Sequence, residues 1–385
     1  MSQHNGRHPE PPAAPRRDEA PRFEPASPSP PSIAGSAIPR SYASLDRSRE
    51  ISLAHGGGGQ LTDALLRQSI VPRLDRGLLG SLLDSATLAS FGRDRPALTI
   101  DGYVVTPWRF PGGNIGHLAV CGTVNDLAVA GAIPQGIALS LILEEGFPRR
   151  HLEAVIEAVA EAADAAGVSV ITGDTKVVGR GAGDGLYLVT AGLGRVPAGR
   201  ELGPERLRPG DVLLLSGAVG EHGLAVMLAR EMPEVESVLR SDCAPLNHLA
   251  EAILAAGGQD VAFMRDATRG GLAGLAADLA EASGCLVELE ESAIPIDPSA
   301  WHAAEMLGLD PLEVANEGKL LVALRPAAAE RVLAAMRDLP VAARAAAIGR
   351  LVEAPDGRPR CELITPVGGR RVLQKPYGEQ LPRIC

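Results

Sequence analysis

The chain has 385 residues, 45% of them hydrophobic and 22% charged, a globular composition long enough for two cores. A net charge of −10 with no basic stripe among aromatics argues against a nucleic-acid partner, and no apolar run is long enough to span a membrane. The five cysteines show no C-x-x-C spacing and follow no secretory segment, so a reducing cytoplasm is expected.

Residues 1–48 carry ten of the 31 prolines and few large apolar side chains, and are read as a disordered extension. From Ile51 a glycine-rich turn, His55–Gln60, leads into an amphipathic helix carrying Leu61, Leu65, Leu66 and Ile70. ALTIDGYVV (97–105) alternates like a strand. GHLAVCGTVNDLAVAGA (116–132) reads as a buried helix, and GIALSLIL (136–143) as a strand. A helix over 149–167 is closed by glycine. VSVITGDTKV (168–177) leads into a glycine-rich turn, and LYLVTAGLG (186–194) is strand-like. PERLRPGD (204–211) marks a boundary. Beyond it lie a strand at 211–217, helices over 221–230, 244–256 and 270–283, and strands over 285–290, 319–324 and 347–352. The pattern predicts an α/β fold in two layered domains, 49–208 and 209–354, followed by a C-terminal segment, 355–385, ending in a mobile tail.

Several residues stand out chemically. Asp101 falls inside a strand pattern and Asp126 on an otherwise apolar helix, while Asp266 directly precedes a helix. Carboxylates on buried elements need a partner or a cation, and three of them suit a hard ion with a polyphosphate. Asp266 by itself reads as a helix cap. Glycines at a helix start expose N–H groups that can cradle an anion, although a flexible turn explains them as well. Lys176, in GDTKVV, has the charge to neutralise phosphate; the bland alternative is a surface lysine. Glu317, in ANEGKL, is either a general base or a turn carboxylate. Cys385 is the last residue, too close to the end for prenylation. A thiol on a loose tail is a nucleophile once deprotonated. Cys121, Cys243 and Cys285 sit among apolar neighbours and read as core.

Taken together, ISLAHGGGGQ, PGGNIGHLAVCGTVNDLAVAGAIP, LILEEG, ITGDTKVV, VLLLSG, RDATRGGLAG, ANEGKL and the terminal PRIC resemble the HypE family, in that order, from about residue 50 to the end. The wider superfamily, similar to aminoimidazole ribonucleotide synthetase and selenophosphate synthetase, shares the glycine loop, the Asn-Asp pair and the D-x-T-x-G stretch, but not PRIC. The resemblance implies a PurM-like architecture: an N-terminal domain that forms a homodimer and binds ATP, with a second α/β domain beside it. It also implies ATP-dependent dehydration of an S-carbamoyl group on Cys385, supplying cyanide for [NiFe]-hydrogenase. On the family pattern Asp101, Asp126 and Asp266 hold Mg²⁺. His55, Gly56, Gly57, Gly58, Gly59, Asn125, Gly173, Asp174 and Thr175 face the nucleotide, and Lys176 and Glu317 serve the dehydration. The implied partners are the carbamoyltransferase HypF and a HypC–HypD complex. Two departures stand out: the N-terminal extension is unmatched, and the loop reads HGGGG where HGSGG is more usual. The rivals are a small-molecule kinase of the same superfamily, which needs no terminal cysteine, and an ATP-gated scaffold, which needs no chemistry. Selenophosphate synthetase carries a reactive residue near the loop, where this chain has Leu53, Ala54, Gln60 and Leu61.

Overall fold

A computed structural model of the chain describes residues 59–65, 67, 86–87, 92–377, 381 and 383–385. The expected disordered extension and four residues of the glycine loop, His55, Gly56, Gly57 and Gly58, lie outside these. A short helix, α1 (Gln60–Leu65), starts the described chain. Strands β1 (Ala86–Thr87), β2 (Arg95–Tyr103), β3 (Arg109–Phe110) and β4 (Gly113–Asn114) precede α2 (Ile115–Val129). Strand β5 (Ile133–Glu144), helix α3 (Arg149–Ala166) and strands β6 (Val170–Val178) and β7 (Leu186–Val196) complete a five-stranded sheet of order β1-β2-β7-β5-β6. Only β5 and β6 run parallel, joined across α3.

Helix α2 is apolar on all sides because it is covered on all sides. Thirteen of its fifteen residues are buried; the exceptions are His117 and Asp126. It packs on β2, β5, β7 and α3 in one direction and on the second half of the chain in the other. Asn114 caps it: the Asn114 side chain accepts from the Gly116 N–H at 2.7 Å, and the His117 ring accepts from the Asn114 N–H at 3.3 Å. Helix α3 shows the opposite pattern, with one buried stripe including Val155, Val159 and Ala162, and ends at Gly167 in the left-handed region at φ 67.

The second half contains β8 (Val212–Leu215), α4 (Glu221–Glu231), α5 (Asn247–Gly257), β9 (Val261–Asp266), α6 (Gly271–Ser283), β10 (Leu286–Glu290) and α7 (Pro298–Leu307). It continues with β11 (Leu320–Leu324), α8 (Ala329–Arg337), β12 (Ala346–Val352), β13 (Arg360–Ile364) and β14 (Arg370–Leu373). The strands form one sheet of order β14-β13-β10-β12-β8-β11-β9. Both faces are covered, so β8 is apolar throughout. Leu213 and Leu215 join the core under α6, and Leu214 joins the core under α5 and α8.

The stretch after Pro355 is more than a tail. Its turn signals, around Gly357 and Gly368, connect β12 to β13 and β13 to β14, and both strands belong to the second sheet. Cys361 within β13 is fully buried. Strand β9 and helices α7 and α8 are likewise additions to the expected elements.

The candidate active site

The described end of the chain is seated against the protein. The Val104 N–H donates to the Cys385 carbonyl at 3.2 Å, and the Thr106 N–H to the Arg383 carbonyl at 3.1 Å. The side chain of Ile384 is 3% exposed within the core around α2. Arg383 donates to the Val104 carbonyl at 3.1 Å and forms an ion pair with Asp184 in the turn after β6. The thiol expected on a loose tail is therefore half-buried here.

Cys385 is delivered to a cluster of charged groups drawn from both halves. Asp101 comes from β2, Asp266 from the end of β9, Arg269 from the loop before α6, and Glu317 from the loop before β11. Burial pushes the Cys385 thiol up to about 12. Glu317, Asp101 and Asp266 reinforce the rise, and the Arg269 guanidinium opposes it. Glu317 is 4% exposed, and burial holds its carboxyl well above the usual range. The charges of Asp266, Asp242 and Asp101 add to that rise, and Arg269 works against it. A carboxylate so disfavoured takes up a proton more readily than an exposed one.

The loop carrying Glu317 is held from behind. The Glu317 N–H donates to Asp242 at 3.0 Å, and Asp242 receives the buried Lys319 ammonium at 2.9 Å. Lys319 also reaches Glu221 at 3.3 Å. Gly318 lets the two segments close up, since a Cβ there would lie 1.8 Å from the Asp242 carbonyl oxygen. Asn125, expected at the nucleotide, has its amide committed to this framework. It donates to the Ala244 and Glu317 carbonyls at 3.1 and 3.2 Å and accepts from the Leu246 N–H at 2.7 Å.

The other expected residues divide by sheet face. Asp101 pairs with Thr190, Thr190 with Leu139, and Leu139 with Gly173, so Asp101 and Gly173 share the face under α2. Thr175 has the same parity. Asp174 and Lys176 have the other, and face away from Asp101. They form an exposed ion pair at 2.7 Å. Asp126, on α2, accepts from Thr99 at 2.7 Å, two residues before Asp101 on the same face. Gly59 is buried at the start of α1, where the Gln60 N–H donates to the Pro376 carbonyl at 3.1 Å. The glycine-rich turn after β6 binds a carboxylate of its own chain: the Gly181 and Gly185 N–H groups donate to Glu144 at 2.6 and 2.9 Å.

Sequence reasoning missed Arg269, Asp242, Lys319, His222 and Arg230. Arg269 carried a signal, standing between Asp266 and the glycines that open α6. Lys319 had one too, as a lysine two residues from Glu317 at the start of an all-apolar strand. Nothing local marks the other three.

The chain matches the family models for the N-terminal domain of AIR synthase related proteins over residues 83–196 and for the C-terminal domain over 208–362. It is 46% identical over 345 residues to the carbamoyl dehydratase HypE of Rhodobacter capsulatus, covering 88% of this chain and 99% of that one. Among solved structures, the HypE–HypF complex aligns at a TM-score of 0.76 with 36% identity, over 81% of this chain and 100% of the other. HypE in complex with ATP aligns at 0.72 with 39% identity, over 87% and 100%. A thiamine monophosphate kinase bound to AMPPCP and TMP, 19% identical at a TM-score of 0.63, shares the fold. With identity at this level sustained over nearly the full length of its relatives, the chain belongs to the HypE family.

Proposed function

We propose that this chain is an ATP-dependent carbamoyl dehydratase that carries its substrate on Cys385. The observation that bears most weight is the seating of the terminal thiol among Glu317, Arg269, Asp101 and Asp266. A carbamoyl group on Sγ, Cys385–S–C(O)NH₂, cannot readily expel its oxygen, because an amide oxygen is a poor leaving group. Transfer of the γ-phosphoryl group of ATP to that oxygen releases ADP and makes the oxygen leave as phosphate. The two nitrogen-bound protons are lost, and the product is the thiocyanate Cys385–S–C≡N. The net change is removal of one water per ATP hydrolysed.

Glu317 is the base for the nitrogen protons, since it combines proximity to Cys385 with a raised proton affinity. Arg269 offsets negative charge that develops on the oxygen being phosphorylated. The donor set suits Mg²⁺: Asp101 and Asp266 bring hard carboxylate oxygens to the cluster, and Asp126 stands one strand-face step away. Among the described residues no three His, Cys, Asp or Glu side chains form a ready-made cation cage. Magnesium commonly binds through one or two carboxylates plus nucleotide phosphates, which agrees with that arrangement. When bound, it would neutralise phosphate charge during transfer.

The outer face of the five-stranded sheet fits a second copy of the chain. Leu98, Ile100 and Leu193 are 50%, 71% and 43% exposed, and Lys176 and Asp174 have the same facing. A homodimer closed over this face brings Lys176 to the partner rather than to its own chain's Asp101. The carbamoyltransferase HypF loads Cys385, in keeping with the solved HypE–HypF complex, and a HypC–HypD complex receives the cyanide. All five cysteines are free and no described helix can cross a membrane, which accords with a cytoplasmic site of action.

The test is an intact-mass measurement after incubation with HypF, carbamoyl phosphate and ATP. Cys385 gains one carbamoyl group and, with ATP present, then loses one water. An adduct that ATP does not dehydrate contradicts the proposal.

A further inference from the structure

Two residues of α4, His222 and Arg230, point at the tail and take part in none of the chemistry above. His222 is fully buried, with its Nε2 3.0 Å from the Ile384 carbonyl and its Nδ1 2.8 Å from the Ser241 hydroxyl. A carbonyl only accepts, so Nε2 carries the proton, and in the neutral ring Nδ1 accepts from Ser241. Arg230 donates through Nε to the Thr106 carbonyl at 2.7 Å and through Nη2 to the Arg383 carbonyl at 2.7 Å. The same Arg383 carbonyl accepts from the Thr106 N–H. Arg230 thus ties the tail and the strand-like segment it lies on into one unit.

We infer that His222 and Arg230 form a clamp that reads the backbone of the last three residues and sets how deeply Cys385 enters the cluster. The clamp binds carbonyls of Arg383 and Ile384, and the Val104 N–H binds that of Cys385, so three consecutive carbonyls each have a fixed donor. Arg383 is the sole non-glycine among the described residues with positive φ, at 56°. A left-handed arginine is strained and persists only where its surroundings over-determine it. Here its carbonyl accepts from both Arg230 and the Thr106 N–H, and Ile384, the next residue, is buried. A shift of one residue in register would leave the buried His222 donor and the Arg230 guanidinium without their carbonyls, which a buried site resists strongly. Both side chains are therefore positioning residues that act on tail depth, leaving phosphoryl transfer and proton removal to the groups around Cys385.

This inference rests on the dehydratase reading for its consequence but not for its geometry, so two arms are used on the full-length chain. In the first, Cys385 alkylation by N-ethylmaleimide is followed by peptide mapping in unmodified protein. R230M and H222Q are expected to raise the Cys385 rate at least tenfold while Cys121 and Cys243 stay as slow as before, and R230K to fall between R230M and wild type. In the second, protein already carbamoylated on Cys385 is given ATP over a range of concentrations up to saturation, in single turnovers. R230M is expected to lower the dehydration rate roughly 10- to 100-fold with half-saturation in ATP unchanged. Wild-type reactivity of Cys385 in both R230M and H222Q overturns the clamp. So does a parallel rise at Cys243, which marks general loosening. Failure of wild-type protein to dehydrate would count against the dehydratase reading, and the alkylation arm would still decide the clamp.

Discussion

Truncating Ile384 to alanine is expected to release the tail without unfolding the protein. Ile384 is 3% exposed and packs into the core that includes Ile115, Leu118 and Val155. Removing a buried isoleucine's outer carbons costs about 2–4 kcal/mol in a protein core. At a chain end that cost falls on local opening, because the rest of the core keeps its contacts when three residues lift away. The docked-to-undocked ratio then drops roughly 30- to 1000-fold, at about 1.4 kcal/mol per decade. Alkylation that is slow compared with reclosing reports the open population, so the Cys385 rate should rise by that factor until it levels at the rate of an unfolded thiol. The assay is intact mass with peptide mapping at neutral pH, paired with a thermal melt. An unchanged Cys385 rate would refute the anchoring role. A lowered melting temperature with Cys361 and Cys285 reacting alongside Cys385 would show that the loss falls on the global fold instead.

Alkaline pH should also free the tail in metal-free protein. The docked thiol titrates at about 12 against an ordinary 9.0, so docking is undiminished below about 9 and weakens as pH rises toward 12, close to tenfold per unit. The Ile384 δ-methyl NMR signal should move from its buried to its free position over that range, and carbamoylation of Cys385 should abolish the dependence. On the second sheet, burial favours the protonated form of Glu288, but hydrogen bonds from Arg370 and Arg350 prevail and hold it below the usual carboxylate range. Its contribution is present above about 4.5 and lost as pH falls through the lowered value, so E288Q should flatten the acid limb of a melting-temperature profile below about pH 4.5. An unaltered limb would show that the pair contributes nothing net. Finally, if the proposed homodimer closes over the open face of the first sheet, sedimentation equilibrium should give a dimer for the wild type and a monomer for I100E. A persisting dimer would place the interface elsewhere.

Patterns with a fixed period were legible from the chain alone. Strand β2 alternates because one face packs on α2 and the other is open, and α2 is apolar throughout because both halves of the protein cover it. Strands β13 and β14 escaped notice because each is only a few residues long and interrupted by turn signals that also suit an unstructured tail. Helices α7 and α8 are only ten and nine residues long and begin at or soon after a proline, a signal that also suits a turn.

At the site, the residue types and their order along the chain were already informative: three aspartates, a glutamate beside a glycine, and a cysteine in the run Pro-Arg-Ile-Cys. Which of them meet was a matter of tertiary structure. Asp101 and Lys176 both fall on strand-like stretches with a glycine close by, yet pairing parity through β7 and β5 sends them to opposite faces of one sheet. Asn125 sits next to Asp126 in the motif but turns its amide to backbone carbonyls rather than toward the cluster. His222 and Arg230 touch the tail across more than 150 positions of chain, through carbonyl oxygens that every residue possesses. Local sequence encodes periodicity and side-chain chemistry. Backbone recognition leaves no imprint on the residue recognised, so only the folded chain could reveal where the last cysteine comes to rest.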